Sequence, residues 1–235
     1  MPDTSLIQTL APLTPSPACG RGGKNRSRFN SPTVVVVAAG QGSRFRGLGH
    51  KLTQRLHGDS ILAITLGHAT ATQFPVVIVT TATLAQMVRD ASAKSRLVIL
   101  PDAASPDVLE PGMGTSIAAG VRASAEASGW LILPADMPMI QTATLLAIAA
   151  QLPRHPVVFA RYRGQRGHPV GFSAALRAEL LGLTGDEGAR SILLRHAAHG
   201  VEIDDPGVLI DIDSAADLAR VRGLMLDRPA YSRIG

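Results

Sequence analysis

The sequence predicts an α/β protein of Rossmann-like, three-layer α/β/α type, its sheet mostly parallel with an antiparallel strand or hairpin near the C-terminal half. Three observations carry this. The run TVVVVAA from Thr33 is apolar and β-branched throughout, as a strand covered on both faces of a sheet must be. Beyond it, strand-like and helix-like stretches alternate at the spacing of βαβ units. Aromatic residues make up only 3% of the chain and charged residues 17%, so alanine, valine and leucine fill the interior, which suits helices packed on a sheet.

Taken in order, residues 1–32 hold five prolines, three glycines and no sustained period, and read as a flexible N-terminal extension. A basic docking arm is the alternative. Residues 33–39 form the first strand. A helix is expected over 60–73, a strand over 76–80, a helix over 83–93 and a strand over 96–100. A loop rich in Pro, Asp and Gly (101–114) then leads to a helix over 115–128. The next buried strand is 130–133, followed by a helix over 141–151 and a strand over 156–162. The polar turn at 163–168 opens a hairpin into 169–172. Two short helices, near 174–181 and 188–197, lead to strands at 201–204 and 208–212. A helix over 214–226 completes a single domain spanning 33–226, and 227–235 is a C-terminal tail.

Charge and cysteine usage narrow the function classes. The net charge is +5, but Arg21, Lys24, Arg26 and Arg28 against Asp3 place +3 of it in the first 32 residues. The remaining +2 suits a small anionic substrate, whereas a nucleic-acid binder calls for a basic stripe and aromatic stacking platforms. Cys19 is the single cysteine, so no disulfide can form within the chain. No apolar run has the length of a bilayer span and no signal peptide is evident, so the expected location is cytoplasmic, without membrane partners.

Chemistry is concentrated where strands end. After the first strand comes AAGQGSRFRGLGHKL, where Gly40 and Gly42 allow backbone N–H groups to wrap an anion and Arg44 and Lys51 supply charge. It is not a dinucleotide fingerprint, because Phe45 stands where glycine is needed, and not a Walker loop, because His50-Lys51-Leu52 replaces Gly-Lys-Ser/Thr. A plain strand-to-helix turn is the alternative. Asp136, between Pro134 and Pro138 just past a strand, is placed either to hold a divalent metal or to cap the next helix. In Asp211-Ile212-Asp213 one carboxylate points inward and the other faces solvent or the start of the last helix, while Asp217 reads as a first-turn helix acid. Gly112, Gly114, Thr115 and Ser116 either read a base edge or ribose or simply cap a helix. His168 is an acceptor contact or a structural hydrogen-bonder. Arg190, following Gly185, Asp186 and Gly188, binds an anion or forms a surface ion pair.

This order of parts resembles the nucleotidyltransferases of the molybdenum-cofactor type, the MobA-like NTP transferase superfamily. The carriers are AAGQGSRF with Lys51, GDSIL (58–62), GMGTS (112–116), LPADMP (133–138), GHPVGF (167–172), GDEGAR (185–190) and DIDSAADL (211–218), together spanning nearly all of 33–226. The Ala-Ala-Gly opening, ADMP and GHPV are most similar to molybdenum cofactor cytidylyltransferase rather than to the guanylyltransferase branch. The interval from Arg44 to Lys51 is longer than the family pattern, so Arg46 could share the duty of Lys51. The resemblance implies transfer of a nucleotidyl group, CMP from CTP, to a phosphorylated pterin, with Mg²⁺ and release of pyrophosphate. It implies nucleotide contacts from Ala38, Ala39, Gly40, Gly42, Ser43, Arg44, Lys51, Gly114, Thr115 and Ser116. It further implies catalytic roles for Arg44, Lys51 and Asp136, metal ligands from Asp136, Asp211 and Asp213, and acceptor contacts from His168 and Arg190. A molybdoenzyme or its chaperone is the implied protein partner. Transfer to a sugar or alcohol phosphate, noncatalytic cofactor delivery and a nicotinamide-dependent oxidoreductase are the competing readings.

Overall fold

The computed structural model describes residues 31–40, 45, 49–101 and 112–227. Gly42, Ser43, Arg44 and Arg46 lie outside the described residues, as do 1–30, most of the 101–114 loop and 228–235.

The seven-stranded sheet is built from β1 (Thr33–Ala38), β4 (Val76–Thr81), β5 (Arg96–Leu100), β6 (Gly129–Pro134), β7 (Val157–Tyr162), β8 (Gln165–Ser173) and β9 (Ala198–Glu202), ordered β5-β4-β1-β6-β8-β7-β9. Neighbours pair in parallel, except that β8 runs antiparallel to both β6 and β7, which is the predicted antiparallel element. A two-stranded hairpin, β2 (Arg55–Leu56) with β3 (Asp59–Ser60), stands apart, turning through His57 and Gly58, both at positive φ.

Helices α1 (Ile61–Ala71), α2 (Ala82–Ala91), α4 (Thr142–Ala149) and α7 (Ala215–Asp227) cover one face of the sheet. Helices α3 (Met113–Ala123), α5 (Arg177–Leu181) and α6 (Arg190–Arg195) cover the other. The strand periodicity of two produces both cores from one segment: Val34, Val36 and Ala38 of β1 face the first layer, Val35 and Val37 the second. Because β1 is buried on both faces, its C-terminal end can only emerge at the sheet's rim, which is where the site lies.

Three predicted elements differ. The polar turn expected over 163–168 is confined to Arg163 and Gly164, both at positive φ, because β8 already pairs with β7 from Gln165. A strand expected at 201–204 forms earlier, as β9. The strand expected at 208–212 does not form, because Pro206 and Gly207 begin a 3-10 turn over Pro206–Leu209, and the Asp205 side chain accepts the Gly207 N–H at 2.9 Å. The same buried carboxylate accepts the Gln141 N–H at 3.0 Å and the Thr144 hydroxyl at 2.6 Å, fixing the start of α4 to this turn. Asp205→Ala strands three donors in the interior and is expected to cost about 3 kcal/mol in urea unfolding, with Asp205→Asn recovering part of it through its remaining carbonyl.

Candidate active site

The end of β1 continues through Ala39, buried, to Gly40, exposed, where an added Cβ would meet nothing within 4 Å. Phe45 is buried in the core beneath, which explains its large apolar side chain at a position where a dinucleotide loop has glycine. The chain returns at Gly49, in a left-handed conformation (φ 79°), and enters a 3-10 turn over Lys51–Thr53. Leu52 is buried in the core, so this turn is anchored by one side chain while its neighbour Lys51 projects to the rim.

Lys51 is the centre of the site. Its ammonium donates to Asp136 Oδ2 at 2.6 Å and to Asp213 Oδ1 at 2.7 Å, joining residues 85 and 162 positions away in sequence. The side chains are 11% (Lys51), 19% (Asp136) and 36% (Asp213) exposed, so the cluster is reachable from solvent but partly desolvated. Burial works to lower the Lys51 pKa, yet the charge of Asp136 and the hydrogen bonds to Asp136 and Asp213 outweigh it and hold the amine above its ordinary range. Such a shift favours the folded state at every pH below the ordinary lysine value and is lost only as pH rises through the still higher folded value, so Lys51 is a permanent cation at neutral pH.

Asp136 reaches the cluster because β6 ends at Pro134 and the next turn is held by the Ala135 N–H donating to Val37 O at 3.0 Å. The Asp136 carbonyl in turn accepts the Ile212 N–H at 3.0 Å, which brings the 211–213 segment alongside. The capping alternative for Asp136 is met by Asp205, whose carboxylate serves the start of α4. Of the distal pair, Asp213 joins Lys51, whereas Asp211 is exposed. Asp217 caps α7 together with Ser214, its carboxylate accepting the Ser214 N–H (2.9 Å) and hydroxyl (2.7 Å), which pull its pKa down.

His168 lies on β8, and its Nδ1 is buried with no hydrogen-bond partner among the described residues. Burial pushes its pKa down, against an opposing pull from Asp136 and Asp211, so the ring is neutral near pH 7.

The remaining expected residues stand on or beside α3 and α6, the helices of the second face. Helix α3 starts at Met113 with Gly112 as its cap and no side-chain cap bond, so Thr115 sits inside the first turn and does not cap. Gly114 donates its N–H to Gly185 O at 2.8 Å, and a Cβ on Gly112 would lie 2.2 Å from Gly185 backbone atoms. These two glycines therefore permit the GDEGAR segment to pack directly on the start of α3, while Ser116 is buried. Arg190 is exposed at the start of α6, whose Ile192 and Leu193 enter the second core. Sequence reasoning missed His50, whose ring contacts both Gly40 and Leu52; its adjacency to Lys51 was the available signal.

Residues 34–200 match the MobA-like NTP transferase domain family. The chain belongs to that family. Purine catabolism protein PucB of Bacillus subtilis (strain 168) is 30% identical over 212 residues, covering 84% of this chain and 100% of PucB. The structure is similar to a nucleotidyl transferase, Mth528, from Methanothermobacter, with a TM-score of 0.71 at 26% identity over 84% of this chain and 98% of that one. It is also similar to Rv0371c of Mycobacterium tuberculosis H37Rv in complex with manganese, with a TM-score of 0.67 at 27% identity over 82% and 98% of the two chains. As a MobA-like NTP transferase, the protein is a nucleotidyltransferase acting on nucleoside triphosphates. No helix among its described residues is long and apolar enough to cross a membrane.

Proposed function

We propose that the protein transfers the nucleotidyl group of CTP to the phosphate of a molybdopterin-type cofactor and releases pyrophosphate. The observation that carries the reading is the Lys51 cluster, in which one cation and two carboxylates from distant parts of the chain converge beside the open end of β1. The choice of CTP and pterin rests on the resemblance carried by the Ala-Ala-Gly, ADMP and GHPV segments.

Asp136 and Asp213 suit Mg²⁺. Both carboxylates already close on a single cation, the Lys51 ammonium, which stands where an ion shared between them would sit. Among the described residues no group of three or more potential metal ligands gathers, and Mg²⁺ is the ion that takes one or two carboxylates and fills its other positions with phosphate oxygens and water. When bound it neutralises phosphate charge and orients the triphosphate.

In the transfer, an oxygen of the acceptor phosphate attacks the α-phosphorus of the nucleotide. A P–O bond forms there as the bond to the β-phosphate oxygen breaks, and the electron pair leaves with pyrophosphate. The attacking oxygen is already ionised at neutral pH, so the residues need not remove a proton. Their task is to bring anions together and stabilise charge. Lys51, permanently charged, faces the α-phosphoryl group, Arg44 neutralises the β- and γ-phosphates, and Ala38, Ala39, Gly40, Gly42 and Ser43 are the triphosphate contacts, with Gly114, Thr115 and Ser116 toward the nucleoside. On the acceptor side stand His168, whose buried Nδ1 has no hydrogen-bond partner among the described residues, and the exposed cation Arg190. The product passes to a molybdoenzyme or its chaperone.

Pyrophosphate release measured with molybdopterin and each of the four NTPs tests the reading. CTP is expected to react fastest, and chelation of divalent ions to stop the reaction. Preference for GTP would refute the cytidylyl assignment, and faster transfer to a sugar or alcohol phosphate would refute the pterin.

A further inference from the structure

We propose that His50 is a positioning residue for Lys51, its imidazole fastening the end of β1 to the turn that carries the catalytic lysine. The inference rests on the nucleotidyl-transfer reading above and adds to it the device that sets the position of Lys51.

The ring uses both nitrogens. Nδ1 accepts the Leu52 N–H at 3.2 Å, which makes His50 the N-cap of the 3-10 turn over Lys51–Thr53. An accepting Nδ1 has its lone pair free, so the proton of a neutral imidazole is on Nε2, and that nitrogen lies 3.0 Å from Gly40 O, to which it donates. The His50 backbone contributes as well, its carbonyl accepting from the Thr53 N–H at 2.9 Å and the Thr53 hydroxyl at 2.7 Å. One residue thus locks the turn internally and ties it to Gly40, ten positions earlier, whatever path the residues between them take.

The tie matters because the ammonium can meet Asp136 and Asp213 together only from one placement of the Lys51 backbone. In the free protein the ammonium is held by Asp136 and Asp213. Those two bonds fix only the tip of a flexible side chain, so the turn that carries it needs, besides the buried Leu52, a tie to the strand end. The Gly40–His50–Leu52 chain does this, linking the strand end on the phosphate side to the lysine backbone. Only a neutral ring can act in this way, since protonation of Nδ1 removes the acceptor for Leu52. Burial keeps the His50 pKa below its ordinary value, against the bond to Gly40, and the neighbouring Lys51 charge, the charged group facing it among the described residues, lowers it further.

Two substitutions separate the two bonds. In His50→Asn the amide oxygen occupies the place of Nδ1 and retains the cap, but nothing reaches Gly40. In His50→Gln the longer amide restores a donor to Gly40. Nitrogen-detected NMR of lysine side chains reports the ammonium directly, because an amine clamped by two carboxylates exchanges its protons slowly with solvent; the Lys51 signal is assigned by its absence in Lys51→Arg. We expect His50→Asn to lose this signal, keep the wild-type melting temperature and lower kcat about tenfold, and His50→Gln to recover both signal and kcat. Retention of the wild-type Lys51 signal in His50→Asn overturns the inference. Should the wild-type protein transfer no nucleotide to any acceptor, the functional reading fails, and the NMR comparison still decides the role of His50.

Discussion

Asp136→Ala is expected to lower kcat for nucleotidyl transfer by about 10²- to 10³-fold, the range typical of removing one preorganised charge from a transition state. The fold should survive. The Asp136 backbone carbonyl, which survives the substitution, accepts the bond from Ile212, and the start of α4 is served by Asp205 instead of Asp136. What disappears is the less exposed member of the carboxylate pair, and with it the stronger partner of Lys51. Steady-state pyrophosphate release alongside a thermal melt checks this. Turnover within a few-fold of wild type, at an unchanged melting temperature, would remove Asp136 from the chemistry.

Lys51→Met is expected to have two effects of opposite sign. Turnover should fall by at least about 10²-fold, because the cation facing the α-phosphoryl group is gone. Binding of Mn²⁺ in the absence of nucleotide, followed by the loss of its free-ion EPR signal, should tighten by about tenfold, equivalent to about 1.4 kcal/mol. The reason is competition. In the free protein the ammonium sits between Asp136 and Asp213, and a metal shared by the two must displace it; methionine keeps the length of the side chain but carries no charge. Asp213→Asn should weaken Mn²⁺ binding in the same assay. An unchanged Mn²⁺ affinity in Lys51→Met would show that the carboxylates closing on Lys51 are not the metal site. Together the two variants separate an ordinary structural ion pair from a metal site held ready by an internal cation, since breaking a structural pair would cost stability and leave metal affinity alone.

Much of the fold and the site is legible in the amino-acid sequence. The unbroken apolar run of β1 signals a strand buried on both faces, and its carboxyl end then locates the rim. The glycine loop and ADMP each follow a buried strand, β1 and β6, that a parallel sheet ends at one edge, so their approach is legible, whereas DIDSAADL reaches the same edge with no strand before it. Local chemistry is legible too where it involves near neighbours, as in the Ser214–Asp217 cap. The hydropathy pattern misleads where a side chain overrides it. The segment 208–212 has the composition of a strand, but Asp205, Pro206 and Gly207 turn its first half into a 3-10 turn.

The sequence by itself determined the fold class, the family and the two residue types, lysine and aspartate, that meet in the candidate site, because these follow from periodicity and from motifs a few residues long. Only the tertiary structure decided which carboxylates meet. Asp213 and not Asp211 closes on Lys51, a choice that depends on the Ile212 N–H bonding to the carbonyl of Asp136, far away along the chain. It also assigned Gly112 and Gly114 to close packing of the GDEGAR segment on α3, and it brought His50 onto Gly40. Such contacts are set by register and packing between distant segments, which leave no periodic trace in the sequence.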